Sequence, residues 1–239
     1  MTATKSPSLD GIDVSKWQNH IDWDEAAPWI DFAMVKATEG VTEVDAQHAA
    51  NVAGLRAHNK LLGHYHYPDG GDAAAEAAFF IANAGRQPGE LQELDFEGDI
   101  LEVADPVGWA AAFLEHVIAG TNNRPLIYMS ASTVTRFDFA RVNALNVGLH
   151  VADWNDGDNP PPGQWPFIIE RQTTDKGTVP GIDGAVDKDV FYGTGDTWAA
   201  YGAEITPAPA PEPAPAPVPE TPAAGGLYEV VAGDNLSVI

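Results

Sequence analysis

Short apolar runs recur along the first two hundred residues, and each one ends in polar side chains. They fall at 11–14 (GIDV), 32–36 (FAMVK), 61–67 (LLGHYHY), 91–97 (LQELDFE), 125–129 (PLIYM), 148–153 (GLHVAD), 167–172 (FIIERQ) and 185–191 (AVDKDVF). Runs of this length, bounded by turn residues, read as buried strands. Between the early runs the apolar positions change to helical spacing. The segment 105–120, DPVGWAAAFLEHVIAG, opens with Asp105 as N-cap and Pro106 at the first helical position, and Gly120 is its expected stop. Residues 72–85 read the same way, and helices are also expected over about 44–59 and 132–145. The last intervals are short and rich in Pro and Gly. The pattern predicts an α/β fold: an irregular, TIM-like (β/α)5(β)3 barrel.

In such a barrel the reactive groups sit where strands end and the following loops begin. The polar residues at those ends are Asp13, Lys36, His64 and His66, Asp95 and Glu97, Tyr128, Asp153, Arg171 and Gln172, and Asp187. The stretch LDFEG stands out among them. Asp95 and Glu97 are two residues apart on a strand, which puts them on one face with backbone anchors roughly 6.6 Å apart. Carboxylates that close repel, so one retains a proton at neutral pH and becomes a general acid beside a charged partner, as glycosidic bond cleavage requires. The plainer alternative is a solvated face of an antiparallel strand. The run's place in the middle of a βα pattern, where both faces are usually covered, speaks against it.

Composition narrows the classes. Twelve basic against 35 acidic residues give a net charge of −23. That balance argues against binding to nucleic acid or to a bare anionic membrane, both of which need clustered Lys and Arg. There is no cysteine, which excludes disulfides, thiolate zinc sites and a cysteine nucleophile. The opening MTATKSPSLDG has no apolar core segment, and no run approaches the roughly 18 apolar residues that span a bilayer, so a soluble product made in the cytoplasm is expected. After Ala203 the chain runs EITPAPAPEPAPAPVPETPAAGG, with proline at alternate positions from Pro207 to Pro219. Such a run forms an extended spacer. The final LYEVVAGDNLSVI resembles the opening of a LysM module, which binds polymers containing N-acetylglucosamine. The expected division is 1–203 for the barrel, 204–226 for a Pro/Ala-rich linker and 227–239 for an incomplete wall-binding segment.

GIDVSKWQ, FAMVKATEG, GHYHYP, LDFEG, PLIYMS and VPGIDGAVDKDVF follow one another in order. With their D-x-S-x-x-Q, K-A-T-E-G, Y-H-[FY], D-x-E and late G-x-x-x-x-D motifs they resemble the family 25 glycoside hydrolases, a lysozyme or muramidase family, over about residues 10–193. The resemblance implies hydrolysis of the β-1,4 bond between N-acetylmuramic acid and N-acetylglucosamine in peptidoglycan, by a monomer without cofactor or metal. It puts the general acid on Glu97 and further sugar-site acids on Asp95, Asp13 and Asp187. A phage-endolysin role would follow, with a holin releasing the enzyme to the wall and a wall-binding module offsetting the unfavourable negative charge. A sugar bearing a 2-acetamido group can supply its own nucleophile, with Asp95 orienting the N–H. The competing scheme makes an aspartate the nucleophile or the base for water.

Tyr65 and Tyr128 are candidate stacking or hydrogen-bonding groups, with barrel packing as their alternative role, and Gln172 and Trp154 are further candidate substrate contacts. Gln18 and Lys36 are expected to tie the first two strands together, with Lys36 also a candidate contact. The chain departs from the family where a W-Q-Y is common (Arg171, Gln172, Thr173) and where a W-x-A-x-Y is common (His150, Ala152, Trp154). Two other classes compete. One is a metal-dependent barrel hydrolase using the pair His64 and His66. The other is a peptidoglycan-binding module without catalysis.

Overall fold

A computed structural model of the chain describes residues 7–155 and 160–205; the expected LysM-like segment and the linker beyond Ile205 lie outside the described residues. The strands are β1 (Leu9–Val14), β2 (Phe32–Glu39), β3 (Glu43–Val44), β4 (Leu61–Tyr67), β5 (Leu91–Asp95), β6 (Leu126–Ser130), β7 (Gly148–Ala152), β8 (Glu170–Gly177) and β9 (Val186–Phe191). Their order is β1-β9-β8-β7-β6-β5-β4-β2-β3, and a β1–β2 pairing closes the ring. Eight strands therefore form the barrel, and β3 is a two-residue hairpin arm on β2. Neighbours from β1 through β2 and β4 to β8 are parallel. β9 runs antiparallel to both β8 and β1.

The helices are α1 (Trp23–Ala26), α2 (His48–Ala57), α3 (Ala73–Ala84), α4 (Pro106–Thr121), α5 (Ala131–Arg136), α6 (Ala140–Asn143) and α7 (Gly195–Gly202). Asp72 and Asp105 cap α3 and α4 by accepting from Ala75 N–H and Gly108 N–H. Gly85 ends α3 in the left-handed region. α4 runs past the expected stop at Gly120, because the left-handed residue is Asn122, whose N–H bonds Ile118 O at 2.8 Å. The single helix expected over 132–145 is two. Phe137 turns extended, and Asp138 accepts from Ala140 N–H at 3.0 Å to start a new turn.

Because side chains alternate along each strand, the ring has two packed faces. The outer face meets the helices. Leu94, Phe96, Ile127, Met129, Leu149 and Val151 join Phe80, Phe113 and Leu114 of α3 and α4 in the largest apolar cluster. Inside, the floor is closed by Phe32, Met34, Leu91, Leu126 and Phe191, with Trp198 of α7 packed on Phe32 and Phe191 at ring-centroid distances of 4.9 and 5.0 Å. Burying a side chain of this kind contributes roughly 1.5–3 kcal/mol. The floor is thus sealed by hydrocarbon, and the charged residues are confined to the layers above it. No helix among the described residues is long and apolar enough to cross a membrane.

Candidate active site

The strand registers stack one set of inward-facing residues. Asp13 pairs with Asp187 across β1 and β9, Lys36 with Tyr65 across β2 and β4, and Asp95 with Tyr128 across β5 and β6. All of them open on a pocket of about 410 Å³ at the mouth of the barrel. The pocket gathers every residue singled out in the sequence as a candidate contact or acid: Asp13, Lys36, Tyr65, Asp95, Glu97, Tyr128, Trp154, Gln172 and Asp187. β5 ends at Asp95, but Glu97 keeps an extended backbone (φ −146°, ψ −179°), so the alternation carries through and both carboxylates reach the same wall. Phe96 between them points outward, edge-on to Phe139.

Gly98, which follows, has φ +70°, and a Cβ there would overlap the Tyr67 hydroxyl. The glycine lets the chain turn away while Tyr67 stays against the pair. Gly98→Ala is expected to destabilise the protein by about 2 kcal/mol, from left-handed strain and displacement of Tyr67. In a chain of this size that is a drop of several degrees in a thermal melt.

Gln172 is the hub of the opposite wall. Its Nε2 donates to Asp13 Oδ2 at 2.8 Å, and its Oε1 accepts from Tyr128 OH at 3.2 Å and Trp154 Nε1 at 3.0 Å. Arg171 donates to Asp153 O and Asn155 O from the outer face, fixing the turn that carries Trp154 over the cleft. The expected tie between the first two strands is not formed by Gln18 or Lys36. Gln18 Oε1 accepts from Ser15 N–H at 2.9 Å and closes the turn after β1, while Lys36 pairs with Glu39 of its own strand at 2.6 Å and lies over the Tyr67 ring.

Burial sets the protonation of the acids. It raises Asp95 well above the usual carboxylate range, with Glu97 and Glu93 adding to the shift, and it raises Glu97 against a downward pull from Lys36. Asp13 is raised well above its usual value by burial and by Asp189 and Asp187, and Asp187 itself is pushed up to about 6, chiefly by burial. A pocket walled by four such acids binds protons more tightly than isolated carboxylates do.

The structure departs from the sequence reading in two further respects. His64 and His66 alternate with Tyr65 and so face the helices. His64 bonds His48 and Glu90, and His66 bonds Thr38 and Glu76, at 2.8–3.1 Å. With all four ring nitrogens engaged away from the mouth, this pair cannot serve as a metal-hydrolase motif there. Conversely, Trp17, Tyr67, Glu93 and Asp175 line the pocket without having been singled out. Trp17 and Trp154 expose 76% and 54% of their surface, so both flank the cleft as open rings although the chain departs from the family's aromatic positions at 150–154 and 171–173.

Glycosyl hydrolases family 25 matches residues 12–182. The chain belongs to this family. Among relatives of this family 25 hydrolase, the uncharacterized protein YegX of Escherichia coli (strain K12) is 31% identical over 223 residues, 84% of this chain and 77% of that protein. An N,O-diacetylmuramidase of Arthroderma benhamiae is 28% identical over 80% of this chain and 85% of its own length. The family 25 hydrolase also shares its fold with the lysozyme of Streptomyces coelicolor, at a TM-score of 0.71 and 24% identity over 81% of this chain and 96% of that one.

Proposed function

We propose that the protein is a peptidoglycan hydrolase that cleaves the β-1,4 bond between N-acetylmuramic acid and N-acetylglucosamine, with Glu97 as general acid. The observation that carries this reading is the Asp95–Glu97 pair, two carboxylates on one wall of a sugar-sized pocket whose proton affinities burial raises. Family membership and the muramidase relative support the choice of bond.

Glu97, the less buried of the two, gives its proton to the glycosidic oxygen as the bond to C1 breaks. The carbonyl oxygen of the substrate's own 2-acetamido group bonds to C1, and Asp95 holds the acetamido N–H in line and offsets the positive charge that develops. Water then adds at C1, displacing the acetamido oxygen and losing its proton to the Glu97 carboxylate, so the acetamido group and the acid are both restored. Asp13, held by Gln172, and Asp187 stand on the opposite wall, Tyr128 stands beside Asp95 on the neighbouring strand, and Trp17 and Trp154 offer stacking faces for neighbouring sugars. We place the activity at the bacterial wall in host lysis, reached from the cytoplasm with the help of a holin. The LysM-like sequence of residues 227–239 supports that destination.

Mass spectrometry of products from purified peptidoglycan tests the assignment. Muramic acid at the new reducing ends is expected. Glucosamine there would overturn the bond assignment, and binding without any release of sugar would make the protein a wall-binding module.

A further inference from the structure

One pleat below Asp95 and Gln172, above the hydrocarbon floor, the barrel interior holds a second constellation that the proposed hydrolysis does not use. Glu93 of β5, His150 of β7, Glu170 of β8 and Asp189 of β9 are 3%, 1%, 0% and 1% exposed. His150 Nδ1 lies 2.9 Å from Glu93 Oε2 and 3.9 Å from Glu170 Oε1, and on the other side of the ring Nε2 lies 3.6 Å from Asp189 Oδ1. Neither carboxylate oxygen of Glu170 or of Asp189 has a hydrogen-bond partner among the described residues.

The donors fall short of the acceptors. Three carboxylates present six oxygens, and an imidazole offers at most two N–H groups, one of which is committed to Glu93. The ion pairs of the three acids among the described residues are with His150 alone. Buried carboxylates left without donors or a cation are costly by several kcal/mol each, so the cluster calls for a positive charge.

We infer that Glu93, His150 and Glu170 form an internal site for a divalent first-row metal ion, with Asp189 as the outer partner of the histidine. One ligand atom from each of the three lies within 4.8 Å of the others. A tetrahedral ion bound at about 2.0–2.2 Å needs ligands about 3.4 Å apart, and the observed 2.9 and 3.9 Å bracket that spacing. Nδ1 faces both glutamates while Nε2 faces Asp189, so the metal would take the first nitrogen and leave the N–H of the second directed at the aspartate 3.6 Å away. This is the carboxylate–histidine–metal arrangement that fixes ring orientation and ligand basicity. One nitrogen and two or three carboxylate oxygens suit zinc or manganese. Glu93 also lines the pocket, which gives the ion its way in. The ion's role is positional. The His150 ring packs edge-on under Tyr128 at 4.9 Å, and Glu93 lies two residues before Asp95 on the same strand face, so a metal here would pin both walls of the cleft from below.

The test uses the full chain, stripped with chelator, desalted and titrated separately with zinc chloride and manganese chloride by calorimetry and thermal melting. One equivalent of saturable uptake is expected with one of the two ions, with a rise in melting temperature of about 5 °C or more at saturation. Cobalt substitution should give the visible bands of a tetrahedral nitrogen–oxygen site. Glu170→Gln and His150→Asn are each expected to weaken uptake at least tenfold. His116→Asn, at an exposed histidine on α4, controls for surface binding and should leave uptake unchanged. If either substitution prevents folding, the wild-type stoichiometry and the cobalt spectrum still decide. Absence of saturable uptake in the stripped wild type, or equal uptake by a folded His150→Asn protein, would overturn the site and leave the cluster's charge to be balanced by protons.

Discussion

Glu97→Gln is expected to lower reducing-end release from peptidoglycan by roughly 100-fold or more, the usual size of a lost general acid. The substitution keeps the shape and the mostly buried position of the side chain, so the loss isolates the proton. Burial keeps Glu97 protonated above the usual carboxylate range. Wild-type turnover should therefore hold at acid and mildly acid pH and fall as pH rises through that elevated value, whereas the residual rate of the variant should lack this alkaline limb. A synthetic glycoside whose leaving group departs without protonation supplies the control. If Glu97 is the acid, the variant loses far less on that substrate than on peptidoglycan; equal losses on both would assign Glu97 to binding or positioning instead.

The second large effect is expected at Asp95, where activity and stability should move in opposite directions. Asp95→Asn removes the charge that orients the acetamido group and offsets the positive charge of the transition state, and a loss of about 100- to 1,000-fold is expected from the size of such electrostatic contributions. The same change relieves strain. Asp95 is held well above the carboxylate range by burial and by Glu97 and Glu93, so the folded state binds its proton more tightly than the unfolded state does. Both states are protonated at low pH, where Asp95 carries no penalty. As pH rises from the unfolded value through the elevated folded value, the unfolded state loses the proton first and wild-type stability falls. Asn carries no such cost. The variant should match the wild type near pH 3 and melt higher at pH 7, by about 1 kcal/mol or roughly 3 °C, the scale of a function–stability trade. A melting temperature below that of the wild type at pH 7 would mean that Asp95 is a net structural support.

Most of the barrel was legible in the sequence because parallel strands covered on both faces must be apolar and must end where polar loops begin. LDFEG was legible for the same reason: two acids at alternate positions of a buried strand have few other uses. The direction of β9 was not legible, since reversal changes the pairing and not the composition of AVDKDVF. Asp187 nevertheless reaches the mouth because a reversed strand brings its first residues there. The His64 and His66 alternation was visible, but which face pointed inward was settled only by Tyr65 between them. Glu93, Glu170 and Asp189 went unnoticed, and His150 was read only as a departure from the family pattern, because each lies one pleat inside its strand's end at the mouth, where a barrel is ordinarily filled with hydrocarbon. The break in 132–145 is local turn chemistry at Phe137 and Asp138, which an apolar periodicity overrides when read alone.

Asp13 and Asp187 face each other across the seam between β1 and β9, so the first strand of the barrel and the last meet inside the cleft. During synthesis the two halves of that wall emerge about 170 residues apart, and their pairing is among the longest-range contacts in the molecule. The pocket is therefore assembled at ring closure rather than inherited from an early-folding piece. A nascent or C-terminally clipped chain that has not yet laid β9 against β1 carries LDFEG without its opposing wall. For a family 25 hydrolase the closing strand thus acts as a completion signal: a complete cleft arrives only with the finished ring.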